Sequence, residues 1–502
     1  MEKRLAELKL RLREINDLEA AAALLSWDQT TYMPPGGAKA RGRQIATLSR
    51  ISHERACDPA LGRLLDELAP FEESLPYDSD EASLIRVARR DYERAIKVPP
   101  SLLGELWQHG AESFQVWSSA RAENDFPAVA PYLQKTIDLS LQLADCFPGY
   151  DHPADPLIDW SDPGMSTQAI CVLFKTLRAE LVPLAQAVAE QSAAADDSFL
   201  LRYYPPQRQL DFGLGVAVDY GYDLACGRQD ISRHPYMTSF SIHDVRMTTR
   251  VDENNLSDGL FSTLHEAGHA IYEQGVNPDY EATALAGGAS SGVHESQSRL
   301  YENLVGRSLP MWRHYYPALV QTFPEQLGAV PLEDFHRAIN KVRPSLIRTE
   351  ADELTYNLHV MIRFDLELAL LEGRLEVKDL PEAWHARYRS DLGLSAENDI
   401  DGVLQDVHWY QGVVGGAFQG YTLGNIMSGA FFQAAQEALP ELPQQIENGQ
   451  FGPLLGWLRE NIHRHGRKYT PNELVERVTG GPLTIEPYMH YLRQKYGAMY
   501  SS

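Results

Sequence analysis

Cysteine is scarce in this chain: four residues of 502, Cys57, Cys146, Cys171 and Cys226, with no two spaced as a thiolate metal site requires. That excludes a disulfide scaffold and a zinc-thiolate module, and free thiols suit a reducing compartment such as the cytoplasm. Basic residues are also short. The 45 Lys and Arg stand against 69 Asp and Glu, a formal charge of −24, which speaks against binding nucleic acid or an anionic membrane surface. No run reaches the roughly 20 apolar residues that span a bilayer. The first residues, MEKRLAELKLRLREI, are charged throughout and lack the apolar centre of a signal peptide. No internal repeat and no long biased linker is visible. Strand patterning is rare too. Only YMTSFSIHDVRMTTRV (236–251) alternates, around Phe240, Ile242, Val245 and Met247, with a turn at His243-Asp244.

What remains is largely helix. Leu5, Leu8, Leu12 and Ile15 recur at three- and four-residue intervals, and the pattern runs on through LEAAAALL. The repeat is too short for a coiled-coil arm, so ordinary core packing is expected. Pro34-Pro35-Gly36-Gly37 breaks it, and helical character then resumes. Further helices are expected over 79–96, 125–147, 165–195, 345–372 and 422–438. With 44% hydrophobic residues the chain can bury a large core. The expectation is one mainly α unit with a small β element.

One helix carries chemistry. LFSTLHEAGHAIYEQG (260–275) places His265, Glu266 and His269 among apolar residues, a pattern that chance yields roughly 0.04 times per chain. Leu260, Leu264 and Ile271 mark the buried face, Ser257 and Asp258 offer capping groups, and Gly275 with Asn277-Pro278 is a stop. One turn apart, His265 and His269 point the same way, so two imidazoles reach one metal ion. Glu266 lies about 100° round the helix, close enough to touch a water at the metal without being a ligand. Two ligands, an open site and an adjacent general base are what a zinc hydrolase needs. The bland alternative is a buried helix whose histidines merely bond their neighbours.

Such a site wants a third protein ligand. Glu273 lies a turn further along the same helix, too distant to converge. VNPDYEATALAGGASS is rich in turn residues, so the chain doubles back, and GVHESQSRLYENLVG resumes helical spacing. That brings Glu295 towards the motif. Glu302, seven residues later, shares its face, and spacing alone leaves the choice between them open.

HEAGH followed by HESQ (294–297) resembles the carboxypeptidase Taq family of metallocarboxypeptidases. DVRMT (244–248), IRTEAD (347–352), GVLQDVHW (402–409) and the N-terminal LLSWDQTTYMPPGGAKARGRQIATLS resemble it as well, so the likeness spans residues 24 to about 424. The family's His-Pro-Phe is His234-Pro235-Tyr236 here. Its Tyr-Phe-Pro-Thr-Tyr reads AFQGY (417–421), without the proline and one tyrosine, though Tyr421 is present. The resemblance implies a mostly helical zinc-peptidase fold with a long, deep groove. It further implies an N-terminal part of about 1–200 covering that groove, a catalytic part of 201–502, and a homodimer. One zinc or cobalt ion per chain is implied, with Glu295 rather than Glu302 as third ligand and Glu266 as the base.

Carboxypeptidase chemistry then asks for two more groups. The substrate's C-terminal carboxylate needs a fixed cation, and Arg348 is the first choice, against the plainer reading of a helix pair with Asp352. The oxyanion needs a donor besides the metal, for which Tyr421 and His408 are candidates; each could equally be a core aromatic or a satisfied histidine. His234 is a weaker substrate-binding candidate, while Asp244 and Arg246 are expected to pair with each other. The substrate class is peptides with a free C-terminus. The rivals are a zinc oligopeptidase that cuts internally and a catalytically silent metal-binding scaffold, against which the intact Glu266 argues.

Overall fold

The computed structural model describes residues 1–500. The N-terminal stripe forms α1 (Glu2–Thr31), which packs on α2 (Ala38–Ala56) after the Pro-Gly break. α3 (Pro59–Ser74) and α4 (Asp80–Lys97) follow, capped by Asp58 and Ser79 side chains that accept from the N–H groups of Ala60 and Ala82. Leu8 of α1, Leu61, Leu65 and Leu68 of α3 and Ile85 of α4 build a small core. It docks on Ile242, Val276, Tyr280 and Leu285, so the N-terminal helices rest on the sheet turn and on the loop after the motif helix. Core packing, not a coiled coil, is what the leucine stripe serves.

The expected helices are found at Asp80–Lys97, Phe126–Asp145, Thr167–Ser192 and Phe418–Ala438. Phe126–Asp145 and Thr167–Ser192 lie ahead of residue 200, yet they bury Leu133, Phe174 and Leu181 in the main core together with the motif helix.

The helix expected over 345–372 starts only at Glu353. Asp352 is its cap, accepting from the N–H groups of Leu354 and Thr355, and residues 348–350 form a single 3₁₀ turn. The motif helix spans Leu256–Gln274, and its cap is Asn255, whose Oδ1 accepts from the Ser257 N–H. Asp258, expected to cap, is instead paired with Arg250.

The sheet has three strands in the order β1-β3-β2. β2 (Met237–Ser241) and β3 (Asp244–Thr249) are the expected antiparallel pair, with the turn at residues 242–243. β1 (Gly227–Ile231) runs parallel to β3, pairing Gly227 with Val245, and is an addition to the sequence reading. Its sequence, GRQDI, gives no apolar alternation, because its buried residue is Asp230, tied to Arg228 and Tyr32. β3 and β2 pack against the motif helix.

Candidate metal centre

Leu260, Leu264 and Ile271 sink into the core, which turns His265 and His269 to the opposite face. There they meet the helix Ser291–Arg299, whose N-terminus is capped by Ser290. The fully buried Asp162 also pins that helix, accepting from the Gly292 N–H at 2.7 Å. Glu295 Oε2 lies 3.6 Å from His265 Nε2 and 3.4 Å from His269 Nε2, and one ligand atom from each residue falls within 4.8 Å of the others. Tetrahedral ligands at about 2.0–2.1 Å from one ion stand about 3.3 Å apart, so this set of two imidazoles and a carboxylate fits a divalent cation such as zinc.

Close helix approach makes the convergence possible. A Cβ on Gly268 would come within 2.5 Å of the Gln297 carbonyl oxygen, and one on Gly424 within 2.5 Å of both Cβ and Cγ of Glu295. Glu295 is therefore clasped between the motif helix and Phe418–Ala438. Gly424→Ala should cost about 1–3 kcal/mol by overpacking and push the Glu295 carboxylate aside. A lowered thermal midpoint together with weakened metal affinity would show it; an unchanged affinity would mean that the backbone yields instead of Glu295.

The outward nitrogens of the two histidines are also held. His265 Nδ1 lies 2.9 Å from Glu302 Oε2, and His269 Nδ1 lies 2.7 Å from His294 Nδ1. Glu302 is therefore on the far side of His265 from Glu295. The reason is a π-helical turn over Leu300–Val305, which breaks the α-register that would have put both glutamates on one face. Glu273, the other residue set aside as ligand, reaches His294 Nε2 at 2.9 Å. Arg299 links the carboxylates, donating to Glu295 Oε1 at 2.7 Å and to Glu302 Oε2 at 3.0 Å.

These contacts set the charge states of the protein groups, no cation being counted. Burial opposes ionisation of Glu295 and Glu302, but Arg299 and the neighbouring histidines hold both below the usual carboxylate range. Burial pushes His269 down to about 3, so its ring is neutral and its lone pair is available. His265, where burial is outweighed by Glu295 and Glu302, goes up instead. Burial also drives Glu266 up to about 7, against the pull of His265.

Glu266 and His265 open on a cavity of about 990 Å³ that also reaches Arg299, Glu302, Arg348 and Tyr356. Arg348 does not pair with Asp352, as the plainer reading would have had it. Its Nε and Nη2 donate to Asp406 at 2.6 and 3.2 Å, and Nη1 donates to the Tyr356 hydroxyl at 3.2 Å. Asp406 also accepts from Arg363 Nε at 2.8 Å and lies 2.6 Å from His408 Nδ1. Burial notwithstanding, the two arginines hold Asp406 far below the usual carboxylate range. His408 Nε2 then lies 3.2 Å from the Tyr421 hydroxyl. Arg348, His408 and Tyr421 are thus one connected group, with the Arg348 guanidinium 5.4 Å from the Tyr421 ring.

His234 stands outside that group. It is exposed on the loop between β1 and β2, where its carbonyl accepts from Ser232. Asp244 and Arg246 pair with each other at 2.7 and 2.8 Å, as expected. Residues the sequence reading did not assign are His294, Arg299, Asp406, Tyr356 and Asp162. Three of them carried a signal: His294 and Asp406 lie within the HESQ and GVLQDVHW blocks, and Arg299 is spaced i,i+4 from Glu295.

Comparisons with known proteins agree along the whole chain. A profile described as carboxypeptidase Taq (M32) metallopeptidase matches residues 7–496. Thermostable carboxypeptidase 1 of Thermus thermophilus is 42% identical over 497 residues, covering 97% of each chain. Carboxypeptidase 1 of Bacillus subtilis is 35% identical, again over 97% of each. The crystal structure of an M32 carboxypeptidase from Deinococcus radiodurans superposes with a TM-score of 0.97 at 49% identity, covering 100% of both chains.

Proposed function

The chain belongs to the carboxypeptidase Taq (M32) family and is a metallocarboxypeptidase; on that premise we propose that it removes single residues from peptide C-termini with one zinc or cobalt ion per chain, held by His265, His269 and Glu295. The observation that carries this reading is the convergence of those donors, 3.4 and 3.6 Å apart, beside a glutamate in a cavity that also reaches an arginine. A bound divalent cation supplies Lewis acidity and lowers the pKa of water at the site.

The chain's own residues do the rest. Glu266 takes the proton of the attacking water and returns it to the leaving amine, for which a carboxyl near neutrality is suited. Tyr421 donates its O–H to the oxyanion that develops on the scissile carbonyl, backed by His408, whose ring is turned by Asp406. Arg348 receives the C-terminal carboxylate of the substrate. Asp406 fills its Nε–Nη2 edge, so the incoming carboxylate meets the Nη1–Nη2 end. His234 is kept as a substrate contact from the β1–β2 loop. The N-terminal helices, which pack beside a second cavity of about 790 Å³, cover the groove. The protein acts as a cytoplasmic homodimer; its four unpaired cysteines agree with that compartment. Among the described residues no helix is long and apolar enough to cross a membrane.

Metal removal tests this assignment. Chelation should abolish activity, and zinc or cobalt should restore it. Elemental analysis should find His265→Ala and Glu295→Ala depleted, and Glu302→Ala loaded but with metal affinity weakened about 10- to 100-fold, the usual effect of losing a group behind a ligand. Metal lost from Glu302→Ala and kept by Glu295→Ala would reverse the roles.

A further inference from the structure

The two motif histidines face one point with Nε2, yet their other nitrogens are held in unlike ways. His265 Nδ1 meets a carboxylate directly, Glu302 Oε2 at 2.9 Å. His269 Nδ1 meets a second imidazole, His294 Nδ1, at 2.7 Å. His294 Nε2 in turn lies 2.9 Å from Glu273 Oε1, and that oxygen is itself fixed by the Gly288 N–H at 2.9 Å. The His294 ring is set edge-on to Tyr272, with centroids 5.0 Å apart, and the Tyr272 hydroxyl accepts from the Ala289 N–H at 3.0 Å. Glu273, His294 and Tyr272 are thus all fixed by further contacts.

Two imidazole nitrogens at hydrogen-bond distance need one proton between them. A nitrogen that binds a metal must be bare, so neutral His269 carries its proton on Nδ1 and donates. His294 then accepts on Nδ1, carries its own proton on Nε2 and donates that to Glu273. Each hydrogen along the chain has one place. We propose that His294 and Glu273 are positioning residues of the metal centre, a carboxylate–imidazole relay that fixes the tautomer and ring plane of His269. The two ligands then differ: His265 is backed by a carboxylate at first hand, and His269 only through a second ring. This inference rests on the reading that His269 is a ligand.

Three variants test it. His294→Phe keeps a ring against Tyr272 and removes both hydrogen bonds. His294→Asn keeps an acceptor near the place of Nδ1, and Glu273→Gln keeps an acceptor oxygen without the charge. Zinc affinity is read by competition with a chromogenic chelator, ligand geometry by the visible spectrum of the cobalt-loaded protein, and folding by thermal melting. His294→Phe should bind zinc about 10- to 100-fold more weakly with a shifted cobalt spectrum, and the other two should lose less. Should His294→Phe fail to fold, His294→Asn and Glu273→Gln decide on the same two readings. Wild-type affinity and spectrum in every folded variant would overturn the relay, and so would a loss in Glu273→Gln without one in His294→Phe. His269→Ala separates the two levels: if it also binds zinc as wild type does, the ligand assignment itself has failed.

Discussion

Glu266→Gln should lower turnover by at least ~10²-fold, the usual scale of general acid–base catalysis, with the metal still in place. Glutamine keeps the size of the side chain and one acceptor oxygen but cannot take a proton. Glu266 is not among the three converging donors, so metal content should equal that of the wild type. It does line the cavity beside His265, only 7% exposed, and burial drives its carboxyl up to about 7. A carboxyl poised near neutrality can both accept the water's proton and release it to an amine, where an ordinary glutamate is too weak a base. The check is kcat measured beside elemental analysis of the same sample. A variant with full metal and near-normal turnover would take Glu266 out of the mechanism.

How far the sequence could foretell this site differs from residue to residue. His265, Glu266 and His269 were legible because an α-helix fixes one-turn geometry wherever it sits, and Leu260, Leu264 and Ile271 told which face is buried. The third donor was not legible from spacing. Its place depends on the loop between the motif helix and Ser291, and that of its rival Glu302 on the π-turn at Leu300–Val305, which no hydrophobic period announces. The motif resemblance, not spacing, singled out Glu295. Arg348 was placed on the wrong element for a related reason. The apolar period runs back through Leu346 and Ala351, but Asp352 caps the helix, and the partner of Arg348 lies 58 residues on, at Asp406. Contacts assembled from separate segments leave no local trace. β1 was missed because its buried side is polar, and His294 because no spacing rule marks a histidine that serves another histidine.

Recognition of a free C-terminus should be the other large effect. Arg348 is 7% exposed, lines the same cavity as Glu266, and is already braced by Asp406 and Tyr356. Bracing fixes the guanidinium plane, so on the proposed reading a substrate carboxylate would meet a preorganised end-on pair of donors rather than a mobile charge. A charge-assisted contact of this kind contributes about 1.5–3 kcal/mol, hence roughly 10- to 150-fold in kcat/KM on free-acid peptides. Arg348→Ala should lose that factor, and Arg348→Lys should fall between, because an ammonium keeps the charge without the paired geometry. The most direct measurement is kcat/KM on one peptide as free acid and as C-terminal amide, for the wild type and for Arg348→Ala. The account predicts a strong penalty for the amide in the wild type and a much smaller one in Arg348→Ala. An equal penalty in both would move the carboxylate to another cation, and wild-type enzyme that cleaves acid and amide equally well would contradict carboxylate recognition altogether.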